Sequence, residues 1–327
     1  MSELQKFVFE GMPVRGAIVR LDDAWQQMLA VRAQGGAYPE AVSHMLGEMS
    51  AAALLMQSNI KFNGALIFQV SGDGPVPLAV AEVYPDFRVR ATAKVQGDVG
   101  NDAKLNDLVN LRGQGRCAIT LDPQDRQPGQ QPYQGVVPLS NDDDQPFERI
   151  GQAVEYYMRQ SEQLDTCLVL AANSEVAAGI LIQRMPLTGQ DNLAGQSAVS
   201  AEEDRIGGSE DFERLAMLTR SMTAEELLSL DVETVLHRLY WDEPLARLVP
   251  TTGTSTPRFS CTCSKERVSS MLRNLGADEI ESVIAEQGSV SVGCEFCGAQ
   301  YVFDPIDAAA LFLPNAHDGA GAGGQPN

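Results

Sequence analysis

The chain contains little histidine, few basic residues and no long apolar run. Its 327 residues include three histidines, His44, His237 and His317, which are far apart in the sequence. Such a scattered set gives no support for a Ser-His-Asp triad or for a histidine-based zinc hydrolase. No apolar run reaches the roughly 18–20 residues that a membrane span needs. The sequence therefore predicts neither of these enzyme classes and no membrane partner.

Basic residues are outnumbered throughout. The chain has 24 Lys and Arg against 44 Asp and Glu, a net charge of −20. Between Arg258 and Phe312 four basic residues face eight acidic ones. Because neutralising phosphates requires clusters of Lys and Arg, this balance predicts that nucleic acid is not a partner.

The first residues, Met1–Lys6, lack the basic-then-apolar layout of a signal peptide. We therefore expect a cytoplasmic protein, in a compartment where thiols stay reduced. In that setting, closely spaced cysteines indicate metal or redox chemistry more often than structural disulfides.

What the chain does have is a group of cysteines near its C-terminal end. Four of the six cysteines form a Cys-x-Cys pair and a Cys-x-x-Cys pair about thirty residues apart, at Cys261, Cys263, Cys294 and Cys297. This spacing matches a tetrahedral site with four thiolate ligands, and thiolates favour zinc over cations that prefer oxygen. Four sulfurs leave no open coordination position, so we predict a closed Zn²⁺ site and no catalytic residue.

The size of the surrounding segment suggests a purpose for that site. About 55 residues with one small apolar patch bury too little surface to fold securely alone. Bound metal can supply the missing free energy, so oxidation of the thiolates would remove the main source of stability. A permanent zinc knuckle without switching remains the alternative. A thioredoxin-like oxidoreductase fits less well, because its Cys-x-x-Cys belongs at a helix N-terminus, whereas here it lies between two predicted strands.

Residues 1–186 are predicted to form an α+β domain with a mixed or antiparallel sheet. A helix after Pro39 carries a stripe of apolar residues that we expect to face the core. The turn Ser71–Pro75 is predicted to use glycine at positive φ. Helix is also predicted from about Pro146 to Gln163. Strands are predicted at 7–9, 14–19, 64–70, 78–84, 87–95, 115–121, 133–139, 166–172 and 176–184.

Residues 187–255 are predicted to form an acidic, helical linker. A loop at Thr188–Ser200 is followed by twelve acidic and four basic residues between Ala201 and Glu243. Thr223 and Glu226 form a capping-box pattern. Leucines alternate with the charges, so the helices should depend on docking to another element. The sequence leaves open whether this segment is a stable helical hairpin or a metastable one.

Residues 256–313 are predicted to form the small zinc domain, followed by a disordered tail at 314–327. Ser264 should cap a helix that ends near Leu275, and a second helix should cover Ala277–Gln287. Two strands should flank the Cys-x-x-Cys pair. The remaining cysteines, Cys117 and Cys167, lie in apolar strands and are expected to be buried and inert.

Several stretches together resemble a known family, the redox-regulated heat-shock holdases, also called 33-kilodalton chaperonins. The resemblance covers nearly the whole chain. It is carried by the four clustered cysteines within Phe-Ser-Cys-Thr-Cys-Ser-Lys-Glu-Arg and Val-Gly-Cys-Glu-Phe-Cys, by Gln69–Pro75, by the Tyr157-x-x-x-Ser161-Glu162-Gln163 run, by Gly179–Pro186 and by the acidic linker. The Gly/Ala tail and the loop around Asp122–Gln131 have no counterpart that we can place in the family.

The resemblance implies an inactive, reduced protein with one Zn²⁺ per chain on the four clustered cysteines. It implies that peroxide or hypochlorous acid forms the Cys294–Cys297 disulfide and then the Cys261–Cys263 disulfide, with zinc release and unfolding of the linker. The active form would hold unfolding proteins without ATP. It would commonly be a homodimer, and would pass clients to ATP-dependent foldases. A constitutive zinc-ribbon interaction module and a thiol-disulfide oxidoreductase remain the alternatives.

Overall fold

The structure is a computed structural model that describes residues 1–126, 129–185, 210–248 and 256–312. It consists of two compact units, Met1–Ser260 and Cys261–Asn327. The α+β class predicted from the sequence is confirmed. The predicted division into four segments stays a prediction, and both the Thr188–Ser200 loop and the tail after Pro314 lie outside the described residues.

A five-stranded antiparallel sheet forms one layer of the first unit, in the strand order β10-β1-β2-β9-β8. We call it the first sheet. Its edge strand β10 was not predicted, and it comes from the segment assigned to the linker. The strands are β1 (Glu3–Phe9), β2 (Val14–Leu21), β8 (Thr166–Ala172), β9 (Ala177–Arg184) and β10 (Leu245–Leu248).

A six-stranded sheet forms the other layer, in the order β11-β5-β4-β3-β6-β7. We call it the second sheet. Its pairings are antiparallel except for the two-residue strand β11, which lies parallel to β5. The strands are β3 (Gly64–Ser71), β4 (Leu78–Val83), β5 (Arg88–Lys94), β6 (Arg116–Pro123), β7 (Tyr133–Pro138) and β11 (Arg258–Phe259).

The helix α2 (Glu40–Asn59) lies between the two sheets and contacts strands of both. The apolar stripe predicted to face the core is buried, with 5 % exposure or less at every position: Val42, Met45, Leu46, Met49, Ala53 and Met56. Gly47 permits the close approach, because a Cβ there would lie 2.5 Å from the Cβ of Ala172 in β8. None of the described helices combines the length and apolar character needed to cross a membrane.

The turn Ser71–Pro75 contains glycine for a reason other than the predicted one. Neither Gly72 nor Gly74 is among the described residues with positive φ. A Cβ would instead lie 2.0 Å from the carbonyl oxygen of Val109 at Gly72, and 2.3 Å from that of Leu108 at Gly74. The turn packs backbone to backbone against the short helix α3 (Leu105–Val109). Close packing explains the glycines, and the predicted positive φ was wrong.

The helix predicted to end at Gln163 changes type near its end. The α-helical part α4 covers Ile150–Tyr157 and continues as a π-helical turn at Met158–Glu162. Gln163 then takes a left-handed conformation with φ 57°. π-Helical turns are rare and often occur at functional sites, and a single-sequence pattern does not distinguish them from α-helix.

Where the structure describes the acidic segment, at residues 210–248, it contains three helices, at residues 210–220 (α5), Ala224–Ser229 (α6) and Val232–Tyr240 (α7). They pack as a layer on the face of the first sheet that points away from α2. Tyr240 meets the rings of Phe7 and Phe9 at centroid distances of 5.9 and 5.0 Å. The prediction that these helices dock on another element is confirmed, and we call α5–α7 the docked helices.

The capping box at the start of α6 is confirmed. Thr223 Oγ1 accepts a hydrogen bond from the Glu226 backbone N–H at 3.2 Å, and the Glu226 carboxylate accepts one from the Thr223 N–H at 3.1 Å. Arg20 of β2 donates to the carbonyls of Leu228 and Leu230 at the other end of this helix. Backbone groups at both ends of α6 therefore have hydrogen-bond partners.

Thr223→Ala tests the contribution of that cap. We expect it to lower the stability of the docked helices by about 1 kcal/mol, the usual cost of losing a threonine N-cap. Native-state hydrogen exchange of the α6 amides measures the effect directly. Ser229→Ala, at an exposed position of the same helix, is the matched control and should change little. Equal exchange rates in the two variants would contradict the role of the cap.

The described part of the second unit, residues 261–312, contains three helices and a β-hairpin. Ser264 caps α8 by accepting from the Arg267 N–H at 3.3 Å, as predicted. The hairpin strands flank the Cys-x-x-Cys pair, also as predicted. The elements are α8 (Lys265–Leu275), α9 (Ala277–Gln287), β12 (Val290–Gly293), β13 (Gln300–Phe303) and α10 (Pro305–Leu311).

Candidate metal centre

The first cysteine pair lies in a short loop between β11 and α8. The side chain of Ser264 is used to cap α8, so the loop ends at a fixed point immediately after Cys263. The two sulfurs, Cys261 Sγ and Cys263 Sγ, lie 3.3 Å apart. This local geometry points both thiols to the same side of the loop.

The second pair lies in the turn between β12 and β13. The Cys294 N–H donates to the Ala299 carbonyl at 2.9 Å, and the Gly298 N–H donates to the Cys294 carbonyl at 2.7 Å. Gly298 has φ 71°, a left-handed conformation that glycine adopts at no steric cost. The turn thereby holds Cys294 and Cys297 on one side of the hairpin.

All four sulfurs meet, within 4.8 Å of one another. Cys261 Sγ is 3.6 Å from Cys294 Sγ, and Cys263 Sγ is 3.3 Å from Cys297 Sγ. Zinc–sulfur bonds of about 2.3 Å in a regular tetrahedron place sulfurs about 3.8 Å apart. The cluster can therefore hold a metal ion, and its thiolate donors suit zinc. Across the described ranges, no other group of three or more potential ligands comes together in this way.

The cluster is only partly shielded from solvent. Cys297 is buried, at 6 % exposure, and the other three cysteines are half-buried. Burial raises the pKa of the Cys297 thiol, and hydrogen bonding to the neighbouring thiols adds to the rise. A cation opposes this effect, because thiols that coordinate a metal are deprotonated.

Tyr301 is a neighbour of the cluster that the sequence did not reveal. Its hydroxyl interacts with the Cys263 thiol, which raises the pKa of Tyr301 to about 12. A neutral tyrosine can donate to a thiolate sulfur and so orient it. The residue sits on β13 among the alternating residues of a hairpin, so no motif identifies it.

The apolar core beside the cluster is small. In the described part of the second unit, six partly buried hydrophobic residues pack against six buried ones, which are Leu272, Ile280, Val290, Phe303, Ala308 and Leu311. A core of this size contributes little net stability after chain entropy is subtracted. A bound metal would therefore add substantially to the stability of this unit.

The two cysteines outside the cluster are completely buried, as predicted, but in different places. Cys117 lies in the core between the sheets, whereas Cys167 lies beneath the docked helices, with its Sγ 3.7 Å from the Ala216 carbonyl. Burial raises the pKa of both thiols to about 12. Neither belongs to the group of cysteines whose sulfur atoms meet.

Beneath the docked helices lies a continuous apolar face of the first sheet. Its side chains are 2 % exposed or less, and they belong to Phe7, Phe9, Val14, Ile18, Ile180 and Ile182. From the docked helices, Leu215 and Ala216 (both 0 % exposed) contact this face. A patch of this kind is uncommon on the surface of a monomer unless it binds something. The docked helices are what keeps it covered.

Comparison with known proteins agrees with this architecture. A family model described as Hsp33 protein matches residues 2–304. A 33 kDa chaperonin of Chromobacterium violaceum is 46% identical over 312 residues, covering 95% of this chain and 94% of the relative. The 33 kDa chaperonin of Neisseria meningitidis serogroup A is 40% identical over 309 residues, covering 94% and 90%.

A solved structure shares the fold. The crystal structure of the 33 kDa chaperonin (heat shock protein 33 homolog) of Thermotoga maritima superposes with a TM-score of 0.69. It covers 94% of this chain and 97% of its own, at 19% sequence identity. At that identity the match supports the fold alone.

Proposed function

Because the chain belongs to the Hsp33 family, we propose that it is a chaperone controlled by oxidation, which binds unfolding proteins without ATP. In the reduced state it holds Zn²⁺ and is inactive. The observation that carries the proposal is the meeting of four sulfurs within 4.8 Å beside a core of only six buried residues. A metal site that stabilises a marginal unit can act as a fold switch.

In the reduced state the metal ligands would be Cys261, Cys263, Cys294 and Cys297. A Zn²⁺ bound there supplies folding free energy, on the order of 10–16 kcal/mol in zinc-finger peptides. The chain contributes the two turns that present the thiolates, and the Tyr301 hydroxyl is a neighbour of the Cys263 sulfur.

In the oxidised state each cysteine pair would close into a disulfide, first Cys294–Cys297 and then Cys261–Cys263. Each pair of thiolates gives up two electrons to one peroxide molecule, which takes two protons from solvent and is reduced to two water molecules. Sulfurs joined in this way no longer act as thiolate ligands. The second unit is then left with its six-residue core, and we expect it to unfold.

The docked helices, which belong to the first unit, would respond to that loss. Strand β11 ends two residues before Cys261, and the docked helices precede it in the chain. We propose that, once the second unit unfolds, these helices detach and uncover the apolar face of the first sheet. This face would bind hydrophobic segments of unfolding proteins, while the acidic helices keep the complex in solution. Homodimerisation in the oxidised state and transfer to ATP-dependent foldases belong to the same proposal.

The test follows metal release and chaperone activity together. Peroxide with mild heat is expected to release about one zinc per chain, and only the treated protein should suppress aggregation of a denatured client. Zinc is measured with a chromogenic chelator and aggregation by light scattering. Full suppression by the reduced, zinc-loaded protein would refute control by oxidation. Catalytic turnover with a dithiol donor would favour an oxidoreductase.

Thiol labelling separates detachment of the docked helices from general unfolding. Cys167 and Cys117 are both 0 % exposed, but only Cys167 lies beneath the docked helices. After oxidation we expect a maleimide to label Cys167 while Cys117 stays protected, as mapped by mass spectrometry of peptides. Labelling of both cysteines at equal rates would mean that the whole first unit opens. Protection of both would mean that the helices stay docked.

A further inference from the structure

A small apolar cavity lies between the two sheets, at the C-terminal end of α2. Its volume is about 90 Å³, and it opens to solvent on one side. The wall is mainly hydrophobic and includes Met56, Leu66, Leu121 and Leu181. The cavity is smaller than the roughly 150 Å³ that admits benzene in an engineered protein. On that scale it takes about three or four carbons of an alkyl chain, and the rest of a longer chain extends through the opening.

One cation lines this cavity in a chain of net charge −20, the guanidinium of Arg15. Two lysines add positive charge near Arg15: after burial, the charges of Arg15 and Lys61 lower the pKa of Lys6. Arg15 donates to Gln183 and forms no ion pair with a carboxylate of the described residues. Some other arginines of the described first unit, such as Arg20, Arg88 and Arg90, do form such ion pairs.

The C-terminal end of helix α2 explains the position of one of these cations, Lys6. Lys6 Nζ donates to the Ser58 carbonyl at 2.6 Å, and cations are favourable near a helix C-terminus. Arg15 is different, because its Nε and Nη2 donate only to Gln183 Oε1. Burial also lowers the pKa of Arg15. A half-buried guanidinium paired with a neutral amide has donor capacity left for an anion.

The remaining polar groups of the cavity wall form no ion pair with the positive charge of Arg15. The carboxylate among the lining residues, Glu162, accepts from Tyr133 and Tyr157 at 3.2 and 3.0 Å. It belongs to the π-helical turn, a feature common at functional sites. Asn59 also lines the cavity, and neither atom of its buried amide has a hydrogen-bond partner. A buried unpaired amide is costly, so a polar ligand group nearby would relieve it.

We propose that this cavity binds a small anionic amphiphile, an unbranched short-chain carboxylate. The carboxylate pairs with the Arg15 guanidinium at the mouth, and the alkyl chain enters between Met56, Leu66 and Leu121. The site is separate from the cysteine cluster and does not depend on the redox function. It gives the first unit a ligand of its own in the reduced, inactive state.

The test uses three probes with the same six-carbon chain: hexanoate, hexanol and hexylamine. They are titrated into the reduced full-length protein and followed by calorimetry and ligand-observed NMR. We expect hexanoate to bind roughly tenfold to a hundredfold more tightly than hexanol, the range expected of a charge-assisted hydrogen bond. Hexylamine should bind least, because its charge is repelled by the surrounding cations.

Two variants locate the site. Arg15→Met keeps most of the side-chain length and removes the charge, so hexanoate should lose about tenfold or more in affinity while hexanol is unchanged. Lys94→Met, which makes the same charge change at an exposed position outside the cavity, is the matched control. Leu121→Phe fills the cavity and should weaken hexanoate and hexanol alike. Thermal melts establish that each variant is folded.

Each outcome decides the proposal. No hexanoate binding at ~10 mM, where a ligand of millimolar affinity would nearly saturate, would overturn it. Equal affinity for hexanoate and hexanol would show that Arg15 does not bind the carboxylate, and would overturn the proposal as well. Equal losses of hexanoate affinity in Arg15→Met and Lys94→Met would do the same. Tight binding that Leu121→Phe leaves intact would place the ligand elsewhere. Selective binding of hexanoate that is lost in Arg15→Met and Leu121→Phe would establish it.

Discussion

Leu215→Asp is expected to make the reduced protein suppress client aggregation without any oxidant. Leu215 is 0 % exposed between α5 and the first sheet. Truncating a buried leucine costs about 2–5 kcal/mol, and burying an unpaired carboxylate there costs more. The docked helices are short and depend on packing, so this loss should exceed their local stability. The apolar face of the first sheet would then be uncovered.

The matched control lies two residues away. Met217 is on the same helix but 65 % exposed, so Met217→Asp should leave the helices docked and the reduced protein inactive. Both variants should retain a full equivalent of zinc, because neither touches the cysteine cluster. Activity is read as suppression of light scattering in excess reductant, and detachment as labelling of Cys167.

Two results would contradict this expectation in different ways. If Leu215→Asp exposes Cys167 to the maleimide but does not suppress aggregation, clients bind somewhere other than this face. If Cys167 stays protected, the docked helices remain docked despite a charged side chain in their interface. Loss of zinc from Leu215→Asp would show that detachment of the docked helices also weakens metal binding in the second unit.

The parts of this molecule that the sequence predicted well are those determined by local contacts. The hairpin around Cys294 and Cys297, the Ser264 cap and the Thr223–Glu226 box each depend on residues a few positions apart. The stripe along α2 was predictable for the same reason, since helical periodicity marks a buried face. The meeting of the four sulfurs was an inference from chemistry, because thiol pairs of this spacing have few other uses in a reducing compartment.

What the sequence did not reveal depends on contacts between distant segments. Leu245–Leu248 pairs with β1, and Arg258–Phe259 pairs with β5, across more than 150 residues of chain. Strands of four and two residues are too short for an alternation of apolar and polar residues to be recognised in the sequence. The leucines of the docked helices predict that one face of each helix is buried. They do not predict that the first sheet is the surface that buries it. The lack of a carboxylate partner for Arg15 could be recognised only from the structure.

Cys297→Ser is expected to have the largest effect on the second unit. Cys297 is the most buried of the clustered cysteines, and its loss leaves three thiolates. Loss of an outer hydrogen-bond partner of a ligand already costs roughly 10–100-fold in metal affinity, so we expect a larger decrease here. With a core of six buried residues, the unit should then be mostly unfolded. Metal content and hydrogen exchange of α8 and α9 measure the two effects separately.

Cys117→Ala is the matched control, because it removes a fully buried thiol that lies in the core between the sheets. It should cost some stability of the first unit but keep one zinc and full protection of α8 and α9. If Cys297→Ser kept its zinc and its protected helices, the unit would be stable without the metal, and a switch based on metal release would be ruled out. If the unit unfolds and Cys167 becomes labelled in reductant, loss of the metal site alone suffices to detach the docked helices. Oxidation would then act only by removing thiolates, and the disulfides themselves would be dispensable for activation.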